Sequence, residues 1–223
     1  MNCLIVFAHP EPASFNGALK DVAVHELERM GHAVAVSDLY RMGWNPALGP
    51  DDFGGERADA DYLDLSREQE RAFATHAHSA DVTAEQAKVT EADLVLFQFP
   101  VWWFSMPAIL KGWVDRVFAM GRTYGGDRIY TNGVFKGKRA LLSLTTGGPA
   151  SAYVKGAFNG DIQAILRPVQ RGMLQFVGFD VLAPQITYGP VRLEQDARVE
   201  RLAAYAERLK NIASEKPCDV GIY

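Results

Sequence analysis

Short runs that are apolar at almost every position constrain this chain more than any other feature. Residues 4–8 read Leu-Ile-Val-Phe-Ala, and similar runs occupy 93–99 and 139–145. A strand with one face in water alternates apolar and polar residues, so continuous runs predict strands buried on both faces. Stretches with helical apolar periodicity, such as 14–30 and 107–119, lie between them. This alternation predicts an α/β fold in which a parallel sheet lies between two helical layers.

Periodicity and turn residues place the remaining elements. We predict strands at 4–8, 33–36, 93–99, 139–145 and 179–182, and helices at 14–30, near 66–75, 81–90, 107–119, 162–177 and 194–212. The polar segment 40–80 is weakly periodic and forms a long excursion. No repeat or Ser/Gly linker divides the chain. We therefore expect a single domain over 1–216, with 217–223 as a short C-terminal tail.

Composition excludes several classes of protein. The 223 residues carry a net charge of −4 and are 48% hydrophobic, which is ordinary for a globular chain. Without a basic stripe to collect phosphates, nucleic acid is not an expected partner. No apolar run approaches the roughly 18 residues of a membrane span, and residues 1–8 lack a signal peptide's basic region. Cys3 and Cys218 suggest no disulfide framework. We expect a cytoplasmic protein without membrane insertion.

The loop after the first predicted strand is a candidate anion site. Ligands of open parallel sheets bind beyond the carboxyl ends of the strands. Residues 9–16 lead into a helix that Ser14 can cap, and a helix N-terminus offers unpaired N–H groups to a phosphate. A Gly-x-Gly-x-x-Gly motif is absent, and the Walker-like residues 133–139 have the wrong spacing. An ordinary serine cap remains the alternative interpretation.

Two further loops follow the third and fourth predicted strands. Trp102, Trp103 and Phe104 are consecutive aromatics between two prolines, a pattern typical of a stacking or subunit surface. Gly147 and Gly148 let backbone N–H groups approach a ligand closely. A buried loop and a plain glycine turn are the respective alternatives. Since the three loops share one sheet edge, together they predict a site for a planar, phosphate-bearing cofactor.

These motifs also carry a family resemblance that covers nearly the whole chain. Ala-His-Pro at 8–10, Ser-Phe-Asn at 14–16, Gln-Phe-Pro-Val-Trp-Trp-Phe at 98–104, Pro-Ala-Ile-Leu-Lys-Gly-Trp at 107–113 and Thr-Thr-Gly-Gly at 145–148 closely match one family. The chain resembles the NAD(P)H:quinone oxidoreductases (DT-diaphorases). The resemblance implies a flavodoxin-like, doubly wound sheet of five parallel strands in the order 2-1-3-4-5. It also implies a homodimer with FAD and two sites at the subunit interface.

The activity implied by the resemblance is a two-electron, ping-pong reduction of quinones by NADH or NADPH. By position, it assigns cofactor contacts to His9, Ser14, Phe15, Asn16, Ala18, Pro100, Val101, Trp102, Trp103, Phe104, Thr145, Thr146, Gly147, Gly148, Tyr153, Arg198 and Leu202. It assigns catalytic roles to Gly147, Gly148, Tyr153 and Asn159, and substrate contacts to Trp103, Phe104, Tyr124, Gly126 and Ile129.

Several positions depart from the family pattern. Asn159 stands where the best-known members carry a histidine, and an amide donates a hydrogen bond but carries no proton near neutral pH. Gly126 replaces a tyrosine, which predicts a wider substrate pocket. Some members bind a metal through two histidines and a cysteine. Here Arg171 and Gln175 take the histidine positions beside Cys218, so we expect no metal.

Other functions are compatible with the same residues. A reduced flavin in an open aromatic pocket also suits an azo- or nitro-reductase. A flavodoxin-type electron carrier and a regulatory subunit of a potassium-efflux system share the implied fold. Shorter family members often prefer electron donors other than NAD(P)H. FMN is possible in place of FAD, since the preference for FAD comes from the resemblance rather than from individual residues.

Overall fold

The computed structural model describes residues 1–222, and its elements follow the predicted alternation. The strands are β1 (Asn2–Phe7), β2 (Ala33–Asp38), β3 (Leu94–Pro100), β4 (Arg139–Thr146), β5 (Asp180–Val181) and β6 (Gln185–Tyr188). The helices are α1 (Phe15–Arg29), α2 (Leu65–Thr75), α3 (Ala80–Glu91), α4 (Ala108–Val117), α5 (Ile162–Val169) and α6 (Gln195–Leu209). The excursion at 40–64 contains one 3₁₀ turn, Pro50–Asp52.

The sheet is parallel and has the order β2-β1-β3-β4-β5, which confirms the predicted flavodoxin-like fold. Its outermost position differs from the prediction of one strand at 179–182. There β5 pairs with the start of β4, and β6 pairs further along the same strand, from Ser143 to Thr146. Leu182, Ala183 and Pro184 separate the two pieces, and a proline has no N–H for a ladder hydrogen bond.

Alternate residues of the strands build a core on each face of the sheet. Val6, Phe97 and Leu142 face α3, α4 and α5, while Ile5 and Leu96 face α1 and α6. All five side chains are buried, which explains why the strands have continuous apolar sequences. The sheet is thereby held between two helical layers, and its carboxyl edge is fixed in position.

The helix predicted at 162–177 is regular only as far as Val169. A π-helical segment, Gln170–Gln175, continues it. Pro168 lies in the last turn of α5, where it has no N–H to donate to the carbonyl one turn earlier. A switch to wider hydrogen-bond spacing beside this proline is a common way to accommodate the missing bond. Apolar periodicity alone did not indicate this change.

Residues 217–222 lie against the domain. The backbone N–H of Cys218 donates to Val181 O at 2.9 Å, and Arg167 Nε donates to Val220 O at 3.2 Å. Val220 is buried in the core on the α5 side of the sheet. Within 1–222, no helix is both long enough and apolar enough to cross a membrane. The same residues contain no cluster of three or more His, Cys, Asp or Glu side chains able to hold a metal ion.

Candidate functional site

Three loops at the carboxyl edge of the sheet enclose a cavity of about 600 Å³, called here the main cavity. This volume lies in the range of small-molecule and cofactor sites. Its walls come from the loop between β1 and α1, the loop after β3, the loop after β4, and α6 with the residues just before it. The lining residues are His9, Ala13, Ser14, Phe15, Asn16, Ala18, Pro100, Val101, Trp102, Thr145, Thr146, Gly147, Pro190, Val191, Gln195, Arg198, Val199 and Leu202.

The first wall is built around the N-terminus of α1. Ser14 is the N-cap, and its Oγ accepts a hydrogen bond from Gly17 N at 3.1 Å. A Cβ at Gly17 would lie 1.9 Å from Pro12 O, so only glycine lets the loop pack this closely on the helix. Glu11 N donates to His9 Nδ1 at 3.0 Å when the imidazole carries its hydrogen on Nε2. In that tautomer, His9 Nε2 can donate a hydrogen bond to a ligand.

The second wall is a strained hairpin of residues 102–105, called here the aromatic hairpin. Trp102 and Ser105 exchange two backbone hydrogen bonds of 3.0 Å, and Trp103 and Phe104 between them have φ values of 51° and 59°. Two consecutive left-handed residues form the turn that usually contains Asn-Gly, and large aromatic residues are disfavoured there. The side chain of Trp103 is 96% exposed and that of Phe104 52% exposed. Strain of this kind, held in place by the surrounding structure, is typical of functional loops.

The third wall contains a buried chain of hydrogen bonds. Gln98 Nε2 donates to Asn16 Oδ1, and Asn16 Nδ2 donates to Thr145 Oγ1, both at 2.9 Å. All three side chains are buried, and Asn16 and Thr145 also line the main cavity. Thr146 Oγ1 donates to Gly148 O at 2.8 Å, which fixes the glycine turn. This network joins β3, α1 and β4 directly beneath the cavity.

The fourth wall includes residues that the sequence did not indicate as a group. Arg198 and Leu202 were expected from the resemblance, whereas Gln195, Val199 and Val191 were not. Arg198 Nε donates to Pro190 O at 3.1 Å, so the guanidinium is anchored to the segment before α6. One sequence signal was available: these positions of α6 recur every three or four residues and therefore share one helical face.

The charge of the main cavity suits an anion. Its described lining includes Arg198 and the N-terminus of α1 but no carboxylate. A helix N-terminus carries a partial positive charge and unpaired N–H groups. Trp102 adds an aromatic surface to the lining, with its ring centroid 6.1 Å from that of His9. The arrangement therefore fits a molecule with a planar ring system and a phosphate-bearing chain.

The predicted catalytic residues form a small cluster at the end of the third loop. A Cβ added at Gly148 would lie 3.2 Å from Tyr153 Cε2 and 3.3 Å from Asn159 Nδ2, so these three residues are neighbours. Tyr153 is buried beside Tyr188, with ring centroids 5.9 Å apart. Burial, and secondarily the neighbouring Tyr153, raises the pKa of Tyr188. Gly147 lines the main cavity, whereas Gly148, Tyr153 and Asn159 are not among its lining residues.

The predicted substrate residues are not brought together within one chain. Tyr124 lines a separate cavity of about 380 Å³ and packs against Phe176 at a ring-centroid distance of 5.6 Å. Burial raises the pKa of Tyr124. Gly126 and Ile129 line none of the cavities described, and Trp103 and Phe104 are outside the main cavity. Tyr124 and the exposed rings of Trp103 and Phe104 therefore share no described cavity within one chain.

Comparison with known proteins gives a consistent result. A family model with a flavodoxin-like fold matches residues 1–212. Over 96% of this chain, 48% of residues are identical to a human ribosyldihydronicotinamide dehydrogenase [quinone], with 93% of that protein covered. A guinea-pig (Cavia porcellus) NAD(P)H dehydrogenase [quinone] 1 is 46% identical over 96% of this chain and 78% of its own length.

A solved structure from Klebsiella pneumoniae, described as a proposed quinone reductase, superimposes with a TM-score of 0.93. It is 45% identical, over 97% of this chain and 86% of that one. Its similarity extends through all four walls of the main cavity, since the alignment covers almost the whole chain. The sequence identity and the fold lead to the same assignment: this chain is an oxidoreductase that belongs to the flavodoxin-like NAD(P)H:quinone oxidoreductase family.

Proposed function

We propose that this protein is an FAD-dependent quinone oxidoreductase that takes hydride from a reduced nicotinamide and reduces quinones to hydroquinones in a two-electron, ping-pong cycle. The observation that carries the proposal is the main cavity, in which three strand-end loops present an aromatic ring, a helix N-terminus and backbone N–H groups. When bound there, a flavin supplies the capacity to accept hydride and pass on two electrons. The protein supplies binding, orientation and electrostatics.

The residues present fit such a group. Ser14, Phe15, Asn16 and Ala18 surround the N-terminus of α1, where N–H groups and the helix dipole would hold a pyrophosphate. Val101 and Trp102 would lie along the ring system, and Thr145, Thr146 and Gly147 along its polar edge. The lack of a described carboxylate in the lining avoids repulsion of the phosphates.

FAD rather than FMN is supported by the extent of the cavity. The loops at the strand ends suffice for a ring, a ribityl chain and one phosphate. The lining continues past them to Arg198, Val199 and Leu202 on α6. This additional wall has one cation and apolar neighbours, which suits a second phosphate and an adenosine. Release of the bound nucleotide by denaturation, followed by its mass, distinguishes the two cofactors.

Tyr153, Asn159 and the glycine turn would stabilise charge during hydride transfer. Backbone N–H groups of Gly147 and Gly148 can donate to an acceptor that gains negative charge, and fixed donors of this kind lower the barrier. Asn159 Nδ2 can donate but cannot transfer a proton near neutral pH. A proton for the quinone oxygen would therefore come from the Tyr153 hydroxyl or from water.

A homodimer is supported by the distribution of the predicted substrate residues. Trp103 and Phe104 project from one surface, while Tyr124 lies in a different cavity with Phe176. A two-fold interface brings a residue of one subunit against a different residue of its partner. A site in which one subunit provides the aromatic hairpin and its partner provides Tyr124 would use both surfaces. The free thiols Cys3 and Cys218 support a reducing compartment such as the cytoplasm.

The electron donor is the least constrained part of the proposal. Relatives at 46% and 48% identity carry names that specify NAD(P)H and ribosyldihydronicotinamide, respectively. Both molecules present the same dihydronicotinamide ring, so an open aromatic site can accept either. The comparison of NADH, NADPH and ribosyldihydronicotinamide at equal concentration assigns the donor by its kcat/KM.

The test is an anaerobic visible spectrum of the purified protein, before and after each donor and then after menadione. We expect a flavin spectrum that bleaches with at least one donor and returns when the quinone is added. Protein that holds flavin but never passes electrons to a benzoquinone or naphthoquinone would overturn the proposal. Parallel assays with an azo dye and a nitroaromatic measure whether those acceptors are preferred to quinones.

A further inference from the structure

A small cavity of about 120 Å³, called here the His78 cavity, lies between the C-terminal end of α2, the first turns of α3 and the turn after α4. Its lining residues are Ala72, Phe73, His76, His78, Thr83, Gln86, Ala87 and Arg122. None of them lines the main cavity. Whatever this cavity holds is therefore separate from the proposed function.

His78 is held rigidly in the wall. Its backbone forms an antiparallel bridge with Phe53, and the two rings pack at a centroid distance of 6.1 Å. Its carbonyl accepts a hydrogen bond from Thr83 Oγ1 at 3.3 Å. Yet both ring nitrogens are buried and have no hydrogen-bond partner among the described residues. A neutral imidazole has one donor and one acceptor, and buried polar atoms are normally satisfied.

Arg122 leaves a second donor unsatisfied in the same cavity. Its Nη2 donates to Thr90 Oγ1 at 3.0 Å, and the guanidinium lies over the Phe73 ring, 5.8 Å from its centroid. Its Nε is buried without a partner within residues 1–222. The nearby carboxylates of Asp52 and Asp81 are both bound to Arg116, at 2.5 Å and 2.8 Å. The charge of Arg122 thus has no carboxylate partner in the described structure.

We propose that the His78 cavity binds a tetrahedral inorganic oxyanion, such as sulfate or phosphate, through the guanidinium of Arg122 and an N–H of His78. A bound oxyanion accepts hydrogen bonds from the Arg122 guanidinium and from the His78 N–H, and its negative charge neutralises that of Arg122. Charge-assisted hydrogen bonds from a planar guanidinium are strong and suit oxyanion geometry. A metal cation is disfavoured because Arg122 is in the wall, and an apolar ligand would leave the donors unpaired.

Binding should depend on pH. Burial lowers the pKa of His78, and the nearby Arg122 lowers it further. Arg71 acts in the same direction, whereas Asp52 opposes the shift, and His76 shares the lining. An oxyanion stabilises the protonated imidazole, which offers a second charged donor. Sulfate, whose charge is constant across this range, should therefore bind more tightly at about pH 6 than at about pH 8.

The test follows the histidine imidazole 15N signals of the holoprotein during a sulfate titration, with sodium chloride at equal ionic strength as the reference. We expect saturable shifts of the His78 signals with a Kd on the order of 1 mM at about pH 6. Arg122→Met should weaken binding by at least about tenfold, since it removes the charged donor. Arg67→Met removes an exposed arginine of α2 and should leave the Kd unchanged.

Two results would overturn the proposal. If sulfate shifts the His78 signals no more than sodium chloride does, the cavity holds water alone, which could also bridge the unpaired nitrogens. If the shifts saturate but Arg122→Met leaves the Kd unchanged, the anion binds elsewhere. Should Arg122→Met fail to fold, Arg122→Lys retains the charge without the planar donor pair. It should then bind sulfate more weakly than the parent protein.

Discussion

Asn16 joins three elements of the fold through its buried side-chain amide. It is buried between Gln98 and Thr145, accepts from the first and donates to the second, and still lines the main cavity. Asn16 therefore belongs both to the domain interior and to the wall of the main cavity. The sequence marks position 16 only through the resemblance, because a lone asparagine in a helix has many possible roles.

We predict that Asn16→Ala weakens both the fold and cofactor binding. The substitution leaves the fully buried Gln98 amide without partners, since Gln98 Oε1 already has none among the described residues. An unsatisfied buried polar group costs about 1–3 kcal/mol, so the free energy of unfolding of the apoprotein should fall by that amount. Chemical denaturation measures it. Asn211→Ala, at an exposed position after α6, is the control and should change little.

At the scale of elements, the aromatic hairpin presents two exposed rings on a backbone conformation that lowers the stability of the fold. Trp103 and Phe104 both adopt left-handed backbone conformations, which cost roughly 1–2 kcal/mol per non-glycine residue. No pattern in the sequence predicts this strain, because aromatic residues avoid the conformation elsewhere. The stacking surface was predicted from residue type, and the backbone that presents it was not.

Replacing the two rings by the residues that this turn prefers separates the two effects. We predict that Trp103→Asn combined with Phe104→Gly raises the free energy of unfolding by about 2–4 kcal/mol, because Asn-Gly fits the turn and relieves the strain at both positions. The kcat/KM for quinone should fall by at least about fivefold, since the two rings together contribute about 1–3 kcal/mol of contact energy. The free energy of unfolding and the kcat/KM of the variant are compared with those of the parent protein at concentrations at which both have the same oligomeric state. A less stable variant with full activity would contradict this account of the loop.

A buried ion cluster ties the long excursion to the helical layer. Arg116 on α4 donates to Asp52 in the 3₁₀ turn and contacts Asp81 on α3. It also donates to Asn45 O at 2.9 Å and lies over the Trp44 ring. Residues 44–49 have no regular secondary structure, and these contacts give the segment a fixed path. Within 40–80 the sequence predicts the helix near 66–75, which α2 confirms, but not the path of residues 44–52, because ion pairs between distant residues leave no periodic signal.

Loss of Arg116 should therefore destabilise the protein strongly. Arg116→Met leaves the buried Asp52 carboxylate unpaired, and breaking a buried pair in this way costs about 3–5 kcal/mol. The matched control is Lys111→Met on the same helix. It breaks an exposed pair with Asp115, for which the expected loss is below about 1 kcal/mol. Equal losses in urea unfolding of the two variants would show that the cluster contributes little.

The same cluster predicts a dependence of stability on pH. Burial acts to raise the pKa of Asp81, but hydrogen bonds from Ser79 and Arg116 outweigh it and hold the pKa below its usual 3.8. The ionised carboxylate therefore stabilises the fold fully above about pH 4, and this contribution is lost as pH falls through the lowered value. Asp81→Asn should lose less stability than the parent protein below about pH 4. Thermal unfolding at successive pH values gives both curves.

For the whole molecule, the sequence predicts the fold better than it predicts the assembled site. Buried strands have continuous apolar sequences, so the parallel sheet and the loops at its carboxyl edge could be predicted from the residues, whereas the strand order came from the family resemblance. The short β6 could not, because its residues are partly exposed and it follows Pro184. Gln195 and Val199 were missed because helical periodicity does not say which face meets a cavity. Tyr124 was expected at the substrate site from the resemblance alone, and it lines a separate cavity of the chain, because the sequence pattern does not say which loops meet in space.

A mixed dimer tests whether two chains form each site. Ser14→Glu places a carboxylate at the N-terminus of α1 and should abolish cofactor binding, whereas Tyr124→Ala should impair only the substrate side. Each homodimer then has two defective sites. If the cofactor wall and Tyr124 come from different subunits, a mixed dimer has one intact site and one doubly altered site. Co-expression with two tags and sequential affinity purification isolates this species.

The isolated mixed dimer should have about half the parental kcat per dimer, because one of two symmetry-related sites is restored. A site made within one chain gives a different result. The mixed dimer would then contain one cofactor-free site and one site with Tyr124→Ala, and its activity would be the mean of the two homodimers. The cofactor content is the same in both cases, one per dimer. The difference in kcat thus reports which subunit supplies Tyr124 and not how much cofactor is bound.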